Sequence, residues 1–142
     1  MKIRIATNKD KDRIKEFVGK NLREIFNSEA RGLEDLDDIK TNFEVFFIAE
    51  ENGVLVGTAG IKNEKDAKIS RMYIDRTLRG KGYGKKLINK IINYCDGKYK
   101  RIFLTTYDIM NSEEFYRKMG FISYKRKKEI KVNKIWMEMN LK

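Results

Sequence analysis

The chain has 142 residues, 41% hydrophobic and 37% charged, which suits one globular domain with a single core rather than a disordered segment. One cysteine and no histidine exclude a disulfide framework, a zinc cluster and every histidine-based triad, and no apolar run approaches a membrane span. A net charge of +11 raises nucleic acid as a partner, yet the basic residues are scattered, with clusters at Lys81–Lys86 and Lys125–Lys134 instead of one stripe interleaved with aromatics.

Lys2 to Ala6 alternates as a short first strand, and Thr7, Asn8 or Asp10 can cap the helix that follows. Ile14, Phe17, Val18, Leu22, Ile25 and Phe26 recur at spacings of three and four and mark its buried stripe. Gly19 lies inside that stripe, where a bend is expected. Gly32 breaks the run, and Leu33, Leu36 and Ile39 suggest a short second helix that carries Glu34, Asp35, Asp37 and Asp38. Phe43 to Glu50 and Val54 to Ile61 are strands joined by an Asn52-Gly53 hairpin turn. Gly57 and Gly60 inside the second of them allow a neighbour to approach closely. Asn63 to Asp66 is the next polar turn, and the strand from Ala67 follows it.

Leu87, Ile88, Ile91, Ile92 and Cys95 share one helical face, so Cys95 is a small core residue and not a nucleophile. That cysteine usage, and an N-terminus without an apolar signal core, point to a cytoplasmic protein. Gly97 stops the helix. Arg101 to Thr106 is a strand reached by a helical crossover, so a parallel pair with the Ala67 strand is expected. A helix from Asn111 or Ser112 through Met119 and closing strands at Phe121–Lys125 and Ile130–Leu141 complete the chain.

Between the Ala67 strand and the Leu87 helix lie Gly80, Gly82 and Gly84, with Arg79, Lys81, Lys85 and Lys86 around them. A basic glycine-rich turn that opens a helix suits phosphate, because the first N–H groups have no partner and the dipole adds positive charge. A Walker loop fails here, since Gly84-Lys85 is followed by Lys86 and Arg79 stands where its first glycine belongs. A dinucleotide fingerprint fails as well, with Lys85 at its third glycine and no carboxylate at Leu104–Thr106. A solvated basic turn is the plain alternative.

Arg79-Gly80-Lys81-Gly82-Tyr83-Gly84, read as R-x-x-G-x-G after a strand ending in Met72-Tyr73-Ile74, resembles the acetyl-CoA signature of the GNAT superfamily of acyl-CoA N-acyltransferases. Tyr116-Arg117-Lys118-Met119-Gly120-Phe121 resembles that family's Y-x-K-x-G-F turn, in the right order. The resemblance implies an α/β fold: a mixed, mostly antiparallel sheet of about seven strands flanked by about four helices, as one N-acetyltransferase domain over residues 1–142.

It also implies acetyl-CoA as acyl-donor substrate, a primary amine on a small molecule or protein as acceptor, direct attack in a ternary complex, and no metal. Backbone groups of Met72, Tyr73 and Ile74 would hold the pantetheine and thioester carbonyl, and Arg79, Gly80, Lys81, Gly82, Tyr83, Gly84 and Lys85 the pyrophosphate. Tyr116 would donate to the departing thiolate, and Asn111 is carried over as a coenzyme contact. For Met72 and Tyr73 ordinary sheet packing is the alternative; for Tyr116 it is packing with the hydroxyl at the surface.

The family's usual glutamate positions are occupied by Lys68 and Thr105, and the asparagine position falls nearer Ile109. A base is therefore sought in a water chain, Glu50, Glu51 or Asp108. The acidic second helix would draw in a cationic amine, or is simply solvated. A coenzyme-binding domain without turnover and a basic nucleic-acid module are the competing functions; a homodimer is left open.

Overall fold

A computed structural model describes residues 1–27 and 31–141. The elements run β1 (Lys2–Ile5), α1 (Lys11–Phe26), α2 (Ile39–Asn42), β2 (Val45–Glu51), β3 (Val54–Glu64), β4 (Asp66–Ile74), α3 (Tyr83–Cys95), β5 (Arg101–Tyr107), α4 (Glu113–Lys118), β6 (Ile122–Lys128) and β7 (Asn133–Asn140). The seven strands form one sheet in the order β1-β2-β3-β4-β5-β7-β6. All neighbours are antiparallel except β4 and β5, which α3 joins as a crossover. This is the mixed, mostly antiparallel α/β sheet that the sequence predicts.

The sheet divides two apolar cores. Phe46 and Ile48 of β2 point to one side, with Ile14, Phe17, Val18, Leu36 and Ile39 from α1 and the α2 region. Val45, Phe47 and Ala49 point to the other, against Leu87, Ile88, Ile91 and Cys95 of α3 and Tyr116 of α4. Strict alternation along a strand buried on both faces is why β2 reads as a continuous apolar run. Burial pushes the Cys95 thiol up to about 11, which suits an inert core residue.

Three local readings change. Helix α1 continues unbroken through Gly19, which is buried. The Asn63–Asp66 turn contracts to Lys65, whose φ of 76° makes the reversal, so β3 runs on to Glu64. The second helix is a 3-10 turn at Glu34–Asp37 followed by the single turn of α2.

Gly60 does admit a close neighbour. A Cβ there would fall 2.7 Å from Phe46 Cδ2 and 2.8 Å from Phe43 Cδ1, whose rings are already edge-packed 4.9 Å apart. Gly60→Ala is therefore expected to cost about 1–3 kcal/mol by overpacking, read as a lower urea midpoint.

At the start of α1, Asp10 accepts from Arg4 Nη1 at 3.0 Å, Arg4 Nη2 at 2.8 Å and the Thr7 backbone N–H at 3.0 Å. The hydrogen bonds from Arg4 hold its carboxyl below the ordinary range. A depressed folded value gives stability that is present above the unfolded value of about 3.9 and is lost as pH falls through the folded one. The urea-midpoint difference between the protein and Asp10→Asn should accordingly shrink steadily as pH is lowered below about 4.

Candidate active site

Strands β4 and β5 pair at Ala67–Ile102 and Lys68–Phe103 and nowhere further along. Beyond that point the sheet forks. The cause is a bulge in β4: Ser70 lies opposite Gly60 and Tyr73 opposite Thr58, so Arg71 and Met72 face a single residue, Ala59. Arg71 takes the left-handed conformation, φ 56°, and its carbonyl accepts from the buried Thr58 hydroxyl at 2.8 Å. Left-handed backbone at a residue other than glycine is costly and persists where surrounding contacts fix it.

The bulge shifts the phase of the strand. Ala67 and Ile69 point to the α3–α4 side, as do Met72 and Ile74, whereas Tyr73 packs toward α1 and α2. The fork thus opens a cleft of about 370 Å³ through the sheet. Ser70, Arg71, Met72 and Tyr73 line one arm, Leu104 to Tyr107 the other, Leu22 and Phe26 of α1 one side, and Tyr116 of α4 the opposite side. Past Lys68 the β5-facing edge of β4 has no β5 partner, which leaves room for an extended group to lie along it.

At the open end, α3 begins at Gly82, φ 88°, and its first backbone bond runs from the Lys86 N–H to the Gly82 carbonyl. The N–H groups of Tyr83, Gly84 and Lys85 therefore have no acceptor within the helix. Gly80 and Gly82 have positive φ and open space where a Cβ would stand, while a Cβ on Gly84 would meet Phe115 of α4 at 3.1 Å. Close approach at Gly84 brings the helix start against Phe115, the residue before Tyr116 on α4. Arg79, Lys81 and Lys85 are exposed around this turn. Tyr83 turns away, donating to Glu51 Oε2 at 2.9 Å.

Tyr116 is 6% exposed and packs edge-on to Phe115 and Phe121. Its hydroxyl makes no hydrogen bond among the described residues, and burial raises its pKa well above that of a free phenol, with Tyr73 adding to the effect. It stays protonated across the working pH range, a donor that lines the cleft without an acceptor among the described residues.

Asn111 is placed elsewhere. It is exposed, in a left-handed turn with φ 54°, and outside the cleft lining; Met110 and Tyr116 line the cleft instead. The proposed carboxylate bases are likewise engaged away from it. Glu50 accepts from Arg4 and Arg13, whose hydrogen bonds hold it below its ordinary range. Glu51 accepts from Tyr83, and Asp108 accepts from the Asn133 backbone and side-chain amides.

The carboxylate that lines the cleft is one the sequence reading placed on an acidic helix, Asp35. It accepts from Arg71 Nε at 3.2 Å, Arg71 Nη2 at 2.9 Å and Lys62 Nζ at 3.0 Å. Burial works to raise its pKa, and the hydrogen bonds from Arg71 and Lys62 overcome this, so it titrates below the ordinary range. Arg71 Nη2 also donates to the Gly32 carbonyl at 2.6 Å, which ties the bulge to the segment before α2. Of the other acidic residues, Asp37 pairs with Lys15 and Asp38 caps α2 through the Thr41 N–H.

A family model described as the acetyltransferase (GNAT) family matches residues 12–121. The chain belongs to this family. An uncharacterized N-acetyltransferase of Methanocaldococcus jannaschii is 32% identical over 111 residues, 71% of this chain, which spans 46% of that relative's length. A GNAT-family acetyltransferase of Staphylococcus aureus Mu50 superposes with a TM-score of 0.87 at 26% identity, covering 99% of both chains. A Bacillus anthracis structure solved in complex with acetyl coenzyme A superposes with a TM-score of 0.63 at 22% identity, over 70% of this chain and 63% of its own. The family match covers both the glycine turn and Tyr116, and the solved neighbours share the fold in which the forked sheet lies. Among the described residues no helix is long and apolar enough to cross a membrane, and no cluster of three or more metal-ligating side chains occurs.

Proposed function

We propose that this GNAT chain is a cytoplasmic N-acetyltransferase, one domain over residues 1–142, that moves the acetyl group of acetyl-CoA to a primary amine by direct attack in a ternary complex. The observation that carries this reading is the fork itself: a β4 edge without a β5 partner runs between a helix start whose first N–H groups have no acceptor within the helix and a cleft lined by Tyr116, whose phenol has no hydrogen-bond partner among the described residues. Acetyl-CoA is a phosphate joined by an extended amide arm to a thioester, and each of those three chemistries meets a matching group. The Gly80–Gly84 turn with Lys85 suits the pyrophosphate, and the edge at Met72–Ile74 suits the arm. The family match and the acetyl coenzyme A bound to the Bacillus anthracis neighbour support the choice of donor.

In this reading the nitrogen bonds to the thioester carbon, the carbon–sulfur bond breaks with its electron pair leaving on sulfur, and one proton passes overall from nitrogen to sulfur. Tyr116 hydrogen-bonds the departing thiolate. A phenol raised by burial holds its proton against a thiol of ordinary pKa near 8.5, so Tyr116 steadies the departing thiolate as a hydrogen-bond donor and keeps its own proton, while the proton lost by the nitrogen is the one that reaches sulfur. Thr105, Ser70 and Tyr73 offer polar positions along that path. The test is thiol release from acetyl-CoA with a panel of amines: release that requires both protein and amine, with the acetylated amine as product, is expected. Tight acetyl-CoA binding without amine-dependent release would instead support a binding domain without turnover.

A further inference from the structure

The charge of the cleft on its α1–α2 side runs opposite to the acidic-helix expectation. Four cationic side chains line it, Arg31, Lys62, Lys68 and Arg71, against one carboxylate among the described residues, Asp35. That carboxylate is spent on Arg71 and Lys62. Lys68 has Glu64 at 3.7 Å, a loose pair whose carboxylate is half exposed and does not line the cleft. Arg31 is exposed at the mouth. A concave site walled by low-dielectric protein focuses such a field, and an alkyl diamine or polyamine entering it meets like charge.

We propose that the acceptor is an amine that also carries a negative group, a carboxylate or a phosphate, held toward Arg31 and Lys68 while the amine points at the fork. This rests on the transferase reading above. The inference explains two features together. The positive lining gives the anionic group its counter-charge, and the same field disfavours an ammonium, so the bound amine is neutral and nucleophilic without a carboxylate beside it.

Four primary amines on the same two-carbon spacer test it: β-alanine, 2-aminoethyl phosphate, β-alanine amide and ethylenediamine. For the better of the first two, kcat/KM for acetyl transfer should exceed that of the amide by about tenfold or more, with ethylenediamine lowest, and the preference should shrink as salt rises. Which anion leads separates carboxylate from phosphate. Lys68→Glu should remove most of the preference and leave acetyl-CoA affinity within a few-fold. Calorimetric binding of the same four amines to the protein without coenzyme is the second readout, and it decides the matter even if no amine is acetylated. Amide or diamine used and bound as well as the anionic amines would overturn the inference while leaving transferase activity intact. Failure to bind acetyl-CoA would overturn the functional reading instead.

Discussion

Tyr116→Phe is expected to fold normally, to bind acetyl-CoA within a few-fold of the unaltered protein, and to turn over about 10²-fold more slowly. The fold should survive because the hydroxyl holds nothing in place among the described residues. The ring contacts with Phe115 and Phe121, at centroid distances of 5.2 and 5.8 Å, are available to phenylalanine as well. The loss belongs at the lower end of the range for general acids because a thiolate is already a fair leaving group. Melting temperature, calorimetric affinity and single-turnover rate separate the three statements. An undiminished rate, with chemistry shown to be limiting, would mean that the phenol does not assist the leaving group.

Gly82→Asp is expected to weaken acetyl-CoA binding by about tenfold or more, because it puts a negative charge at a helix start that is read here as an anion site. Gly82 is in the left-handed region at φ 88°, with nothing within 4 Å of an added Cβ. Aspartate and asparagine tolerate that conformation better than most residues, so the helix should persist. Gly82→Asn is the control, with the same shape and no charge. It should retain clearly more affinity than Gly82→Asp; equal losses in the two would make the effect steric and remove the electrostatic account of the turn.

Much of the molecule was legible because local chemistry and global fold agree. The apolar stripe Leu87–Cys95, the glycine turn and the alternation of Ile135, Met137 and Met139 each depend on near neighbours and period alone. The bulge also left a trace: apolar positions at Ala67 and Ile69 slip by one to Met72 and Ile74, a phase change that a straight strand does not produce. Reading that slip would have located the fork. The Asp35–Arg71 pair, 36 residues apart, left none. An acidic run looks the same whether its charges face water or a half-buried guanidinium, and only the tertiary approach of β4 decides which. For the same reason Glu50, Glu51 and Asp108 were equal candidates for the base in sequence and are all engaged elsewhere in the structure.

The central claim is direct transfer within the β4–β5 cleft, with acetyl-CoA and amine present together. Initial rates measured over a grid of acetyl-CoA and amine concentrations, alongside the intact mass of the protein after acetyl-CoA alone, test it most directly. The expected result is a set of double-reciprocal lines that intersect, and a protein mass unchanged by the donor, as befits a chain whose single cysteine is buried in the core. Parallel lines together with an acetylated protein that passes its acetyl group to the amine would contradict the account.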